Sequence, residues 1–396
     1  LNACNFSPDR ASARPVVRGK FLWLGAEKIL LRGVTYGPFR PEKDGCEYHD
    51  RETVARDFAK MAASGINSVR LYTVPPRWLL DVAHEKKIWV MVGLPWEQHV
   101  AFLDDDAIVR RIEQKVREGV SACAGHPALL AFAIGNEIPA PIVRWFGHRP
   151  LEKFIRGLYR IAKEADPGAL VAYVNYPTTE YLELPFVDLF CFNVYLETPE
   201  KFDAYLARLQ NLAADKPLLL AEVGLDSRRN GEAKQAESLT WQLRLAFEGG
   251  VAGTFVFAWT DEWYRGGNDI LDWDFGLTRR DRTEKLSLTA VAKVYSQLPF
   301  AEKKSWPRIS VVICTYRGVA TLEESLSGLQ RVVYPDFEVI VVNDGSHDGV
   351  AAIAKKFPVR LLNLPHGGLS VARNAGCAAA TGEIVAYLDD DAWPDP

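Results

Sequence analysis

The sequence predicts an α/β protein: a (β/α)8 TIM barrel followed by a truncated Rossmann-like α/β unit. Two observations carry this prediction. Eight short apolar runs alternate with longer amphipathic segments between Phe21 and Pro299, and a polar stretch ending in Pro307 then interrupts the pattern before it starts again at Ile309. The runs are residues 29–35 (ILLRGVT), 66–72 (INSVRLY), 88–94 (IWVMVGL), 129–135 (LLAFAIG), 170–175 (LVAYVN), 187–194 (VDLFCFNV), 217–222 (PLLLAE) and 254–259 (TFVFAW). They are short and rich in branched or aromatic side chains, as strands buried on both faces require.

Helical patterns lie between the runs, over 51–64, 106–124, 151–165, 201–214 and 233–247. Stop signals close several of them: Gly65 after Ser64, Pro167 after Asp166, and Gly249 with Gly250 after Glu248. Eight such units over about 280 residues suit a closed barrel better than an open sheet. A barrel commits its site to the loops after the strands' C-terminal ends. Residues 1–17 read as a tail, 18–299 as the barrel, 300–307 (FAEKKSWP) as a linker and 308–396 as the second domain. That domain repeats the alternation, with strands at 309–314, 337–342, 359–362 and 383–388 and helices near 321–331, 349–357 and 370–380. It reads as cut in mid-fold at Pro396, and the start at Leu1 as a fragment boundary.

Composition narrows the function. The 396 residues are 48% hydrophobic and 25% charged, enough for a sizeable core, yet no apolar run has the ~18 residues of a membrane span. A net charge of −4 gives no electrostatic case for nucleic acid and favours neutral or small-molecule substrates. Cys4, Cys46, Cys123, Cys191, Cys314 and Cys377 are scattered, with no metal-ligand spacing. A reduced cytoplasmic compartment is the expectation, with membrane attachment of the parent protein left open.

Two carboxylates stand out. Glu137 follows the fourth run in Gly135-Asn136-Glu137-Ile138-Pro139, and Glu222 ends the seventh in Leu220-Ala221-Glu222-Val223-Gly224. Both belong at the mouth of one barrel. Paired carboxyl groups ~5 Å apart, one an acid and one a nucleophile, are what retaining cleavage of a glycosidic bond requires. Trp96, Trp145, Trp259, Trp263 and Trp273 fall at or after strand ends three, four and eight. Their indole faces suit the C–H faces of pyranose rings, with Trp259 the best placed, whereas Trp263 and Trp273 suit packing a loop over the barrel equally well. Tyr36 and Glu97, at other strand ends, can reach sugar hydroxyls. His126 and Pro127 read as punctuation between helix and strand.

The stretch from Gly125 to Glu137 (GHPALLAFAIGNE) resembles clan A glycoside hydrolases, in particular family 2 β-glycosidases. In that clan the fourth strand ends in Asn-Glu and the seventh carries a lone Glu. Arg70, Tyr195 and Trp259 match its pattern too, and the likeness covers residues 19–299. It implies that Glu137 is the acid/base, Glu222 the nucleophile and Asn136 a donor to the sugar 2-hydroxyl. Arg70 and Tyr195 would hydrogen-bond Glu222 and keep it ionised, while a partly desolvated mouth would raise the pKa of the acid. Trp96, Trp259 and Tyr36 complete the expected sugar contacts, with no cofactor for the barrel.

The second unit resembles family 2 glycosyltransferases of GT-A fold. The likeness rests on Ser310–Tyr316 (SVVICTY), Val342–Asp348 (VNDGSHD), Gly368–Gly376 (GLSVARNAG) and Tyr387–Asp391 (YLDDD), with Cys314 where that family usually has Pro. It implies a nucleotide-sugar site with Thr315 and Asp344 at the base and ribose, Arg373 near the diphosphate, and Asp389 with Asp391 binding Mg2+ or Mn2+. The general base and acceptor-binding half follow later in that family, so no transferase turnover is expected of this piece. The resemblances imply a retaining hydrolase or transglycosylase acting on β-linked glycans such as β-glucan, joined to a nucleotide-sugar-dependent transferase. The rival expectation is a transferase whose barrel only binds or regulates.

Overall fold

The computed structural model describes residues 14–43, 45–300 and 306–394, and the chain separates into two compact units, the first ending at Phe300. Cys4, most of the expected tail and linker residues 301–305 lie outside the described residues.

The first unit opens with a three-stranded antiparallel meander, β1 (Val16–Arg18), β2 (Phe21–Leu24) and β3 (Glu27–Ile29). Sequence reasoning missed it. It assigned Val16 and Val17 to the tail and joined Ile29 to the first barrel strand. Eight parallel strands follow and close on themselves: β4 (Leu31–Thr35), β5 (Ser68–Leu71), β6 (Trp89–Gly93), β7 (Leu129–Asn136), β8 (Leu170–Asn175), β9 (Leu189–Asn193), β10 (Leu218–Val223) and β11 (Gly253–Val256). The sheet order is β10-β11-β4-β5-β6-β7-β8-β9, and each expected run supplies one strand. Closure is tight where β11 meets β4: a Cβ on Gly253 would lie 2.4 Å from that of Leu31, so only glycine lets the two strands pair there.

Two apolar layers hold the barrel. Its floor is filled by Leu31, Met91, Leu130, Leu219 and Phe255, with Leu22 of β2 inserted among them at zero exposure. The outer layer packs strand residues such as Val69, Val92 and Phe132 against the helices. Those helices begin where the chain supplies caps: Asp50 accepts from Thr53 N ahead of Arg51–Ala63, and Asp105 from Ala107 N ahead of Asp106–Cys123. After β11 the chain forms a hairpin, β12 (Tyr264–Arg265) with β13 (Asn268–Asp269), before the helix Leu286–Ser296.

In the second unit β14 (Ile309–Thr315), β15 (Phe337–Asp344), β16 (Arg360–Leu364) and β17 (Ile384–Asp389) form a parallel sheet ordered β16-β15-β14-β17. One face packs on Leu322, Leu326 and Ile353, the other on Ala372. Thr315, Asp344 and Asp389 all stand at C-terminal strand ends, the edge where such sheets bind ligands. Trp306 and Pro307, from the expected linker, belong to this unit: Tyr334 stacks edge-on to the indole and donates to Pro307 O at 2.6 Å. Among the described residues, no helix is long and apolar enough to cross a membrane.

Candidate active site

The mouth of the barrel opens into a cavity of about 720 Å³ bordered by both Glu137 and Glu222. Local irregularities aim them. β10 shifts register against β9 between Leu220 and Glu222, which leaves Glu222 opposite Asn193, and β7 shifts against β8 between Ala133 and Asn136. Such bulges turn side chains that regular alternation would send elsewhere. Glu137 itself takes φ +50, unusual for a residue with a Cβ, and its N–H donates to Val174 O at 2.9 Å. Gly135 just before it has to be small. A Cβ there would meet the Tyr173 ring at 3.0 Å and the Trp96 ring at 3.3 Å.

The two carboxylates have opposed surroundings. Glu222 accepts at Oε1 from Arg70 Nη1 (2.9 Å) and Tyr72 OH (2.7 Å), and at Oε2 from Tyr195 OH (2.6 Å). Arg70 is 1% exposed, and the charge of Glu222 beside it sustains its own against burial. Burial, with the Glu222 charge, pushes the Tyr72 and Tyr195 hydroxyls well above the usual phenol range, so both remain donors. Glu137 has a single side-chain donor here, Asn193 Nδ2 at 2.8 Å. Burial first, then the charge of Glu222, raises its pKa above the usual glutamate range. Asn193 links the halves, because its Oδ1 accepts from Arg70 at 3.1 Å.

Asn136 is fixed as well. Its Oδ1 accepts from Arg70 Nη2 at 2.6 Å and Asn193 Nδ2 at 3.2 Å, while Gln98 Nε2 donates to its carbonyl oxygen. With the oxygen engaged, the amide NH2 remains to donate to a ligand.

The raised Glu137 pKa has a definite sign. The shift keeps the acid form populated to higher pH than in an ordinary glutamate, so if Glu137 served as a general acid the alkaline limb of a rate profile would move upward. Since part of the shift comes from Glu222, Glu222→Gln is expected to lower the Glu137 pKa. Carbon-13 NMR titration of labelled glutamate side chains reads this directly; an unchanged or higher midpoint would contradict the coupling.

Of the expected barrel residues, Glu137, Glu222, Arg70, Asn136, Tyr195 and Trp96 border the cavity. Trp96 is 8% exposed, its indole N–H spent on Ile134 O. Four expectations need correction. Trp259 is fully buried and does not border the cavity, which Phe257 borders instead; the Trp259 backbone N–H donates to Thr35 O of β4 at 2.9 Å. Tyr36 is also buried, its hydroxyl donating to Asp57 on the neighbouring helix at 2.9 Å. Glu97 does not border the cavity either; it pairs with Arg111 and Lys115. Trp145 stands outside, 70% exposed, bonded to Asp104. Trp263 and Trp273 do line the mouth. Sequence reasoning missed Tyr72 and gave Asn193 no role. Strand parity could have found both, since Tyr72 shares a face with Arg70, and Asn193 with Tyr195.

In the second unit, Asp344 is 3% exposed and accepts from Gly367 N (2.8 Å) and Gly368 N (2.9 Å). Those amides, with His366 at 2.9 Å, hold its carboxyl below the usual aspartate range. Thr315 Oγ1 is buried without a hydrogen-bond partner among the described residues. Arg373 Nη2 lies 3.3 Å from Asp389 Oδ1. Among the described residues, no group of three or more His, Cys, Asp or Glu is arranged to hold a metal ion.

The chain can now be compared with known proteins. Residues 16–300, most of its length, match the family described as "Glycosyl hydrolases family 2, TIM barrel domain". The chain belongs to that family. Residues 310–396 match "Glycosyl transferase family 2", so the barrel is joined to a segment similar to that family. A β-galacturonidase from Eisenbergiella tayi aligns with the barrel at 18% identity and a TM-score of 0.60, over 72% of this chain and 54% of that enzyme. The Faecalibacterium prausnitzii β-glucuronidase aligns at 18% and 0.62, over 72% and 52%. The uncharacterized glycosyltransferase EpsJ of Bacillus subtilis is 34% identical over 22% of this chain and 26% of its own. The chain thus spans about half the length of those hydrolases and a quarter of that transferase.

Proposed function

We propose that the barrel is a retaining glycoside hydrolase or transglycosylase acting on β-linked glycans. One observation carries the reading: a single cavity holds one carboxylate that accepts from three donors and a second whose pKa burial raises. Glu137 Oε–H protonates the glycosidic oxygen as its bond to the anomeric carbon breaks, and Glu222 Oε attacks that carbon to form a glycosyl ester. Glu137, now ionised, takes a proton from water or from a sugar hydroxyl. The oxygen so activated attacks the anomeric carbon and releases Glu222. Asn136 offers its NH2 to the 2-hydroxyl, and Trp96, Trp263 and Trp273 offer ring faces to the sugar.

The test is turnover on a panel of aryl β-glycosides and β-gluco-oligosaccharides, with β-uronosides included because the structural relatives named above act on them. Glu137→Gln should lower the rate by about 10²–10⁴-fold on poor leaving groups and far less on dinitrophenyl glycosides, which depart unprotonated. An equal loss on both would remove Glu137 from the acid role.

For the second domain the proposal is a nucleotide-sugar site at the C-terminal strand ends, with Thr315, Asp344, Arg373 and Asp389 around the nucleotide. Asp389 and Asp391 are exposed carboxylates, a donor set that fits a hard cation. Mg2+ or Mn2+ bound there would neutralise diphosphate charge, and it needs only one or two carboxylates because it takes its other ligands from phosphate and water.

A further inference from the structure

In the closed sheet β11 and β7 stand on opposite sides, four strands apart either way. The β12–β13 hairpin follows β11, yet its Arg265 borders the same cavity as Glu137 and Gln98, which follow β7 and β6. The hairpin therefore reaches over the mouth toward the acid. It is fastened there. Tyr264 N donates to Pro38 O at 3.2 Å, Ile270 N to Trp263 O at 2.8 Å, and Arg40 pairs with Asp269 while its guanidinium covers the Tyr264 ring.

Other cationic side chains in this cavity are already committed. Arg70 is held by Glu222, and Arg229 lies 3.5 Å from Asp226. Arg265 makes no hydrogen bond or ion pair through its guanidinium with any described residue. Its charge is nevertheless felt at two places: it opposes the protonated form of Glu137, and it adds to burial in favouring neutral His99. A bare guanidinium beside a proton donor works against that donor. An anion seated on Arg265 would cancel the opposition and let Glu137 keep its proton.

We propose that Arg265 binds an anionic substituent on the sugar unit at the leaving-group side of the scissile bond, so that the glycan processed here is acidic at that position. The guanidinium fork suits a carboxylate or a sulfate through paired N–H donors. This deepens the glycosidase reading and rests on it. It concerns the unit released, not the unit attached to Glu222.

Kinetics and direct binding test it separately. For whichever glycone the barrel turns over, kcat/KM is compared for 4-carboxyphenyl, 4-sulfophenyl and neutral 4-carbamoylphenyl leaving groups, in the native protein and in Arg265→Gln. The charged-to-neutral ratio should fall by about tenfold in the variant, a comparison in which intrinsic leaving-group reactivity cancels. A larger fall with the carboxylate or with the sulfate identifies the natural anion. Equal ratios in the two proteins overturn the proposal. In the second arm, calorimetric titration with glucuronate, glucose 6-sulfate and glucose should show anion-dependent binding that Arg265→Gln abolishes; binding of either anion that survives the change also overturns it. If no aryl glycoside is turned over, the glycosidase reading fails while the binding arm still decides the role of Arg265.

Discussion

Glu222→Gln is expected to lower turnover of any substrate the barrel processes by about 10⁴-fold or more, because it removes the nucleophile that the proposed double displacement needs. The loss should not come from unfolding. Glutamine keeps the length of Glu222 and an oxygen that can still accept from Arg70 and Tyr72, and the Tyr195 hydroxyl can rotate to accept from the new amide. Circular dichroism and the melting temperature should therefore stay close to those of the native protein. Glu222→Ala opens a hole on the face opposite the leaving group. With azide supplied and Glu137 still protonating the leaving oxygen, the product should be the α-glycosyl azide; azide added to Glu137→Ala with a dinitrophenyl glycoside, whose leaving group needs no proton, should give the β-anomer. Native-like rates in Glu222→Gln, or the same anomer from both alanine variants, would end the double-displacement account.

Lys285→Met is expected to cost about 3–5 kcal/mol of stability. The Lys285 and Asp261 side chains are 2% and 4% exposed and meet at 2.7 Å, and Lys285 Nζ also donates to Ser227 Oγ (2.9 Å) and Asp274 O (3.2 Å). One ammonium thus ties three stretches of chain near the mouth. Asp226 and Asn230 flank one tie, and Trp273 and Phe275 flank another. Removing the cation leaves Asp261 buried, where burial already raises its pKa. At about 2–4 °C per kcal/mol for a domain this large, the melting point should drop by roughly 10 °C. Asp261→Leu added to Lys285→Met should recover much of the loss, since a buried pair can be replaced by packed apolar groups at little net cost. A single variant that melts within a degree or two of the native protein would show the clamp to be idle.

Much of this was legible in the sequence for one physical reason. Strands buried on both faces of a closed parallel sheet leave continuous apolar runs, and each of the eight runs became one strand. The meander was not legible, because its strands are three or four residues long and mix Arg, Lys and Glu with apolar residues. The carboxylate pair was legible because each follows or ends such a run. Its partners were found or lost by strand parity: Arg70 was found, whereas Tyr72, two residues on and on the same face, was not. Trp259 had the right parity and the wrong depth. Three residues past Val256 its backbone still bonds to Thr35 O of β4, but its ring is fully buried and does not reach the cavity. Arg265 lay beyond reach, since no periodicity predicts that a hairpin folds back over the opening.

The stopper formed by β1–β3 governs where this chain can be trimmed. Leu22 fills the floor together with Leu31, Met91 and Leu130. A version begun at Leu31 would keep every barrel strand with Glu137 and Glu222, yet it would present bare leucine and methionine to water at the end opposite the cavity. Such a molecule would be prone to clumping through that greasy underside. Any shortened form meant for biochemistry therefore has to retain the meander, residues 16–29, ahead of the barrel.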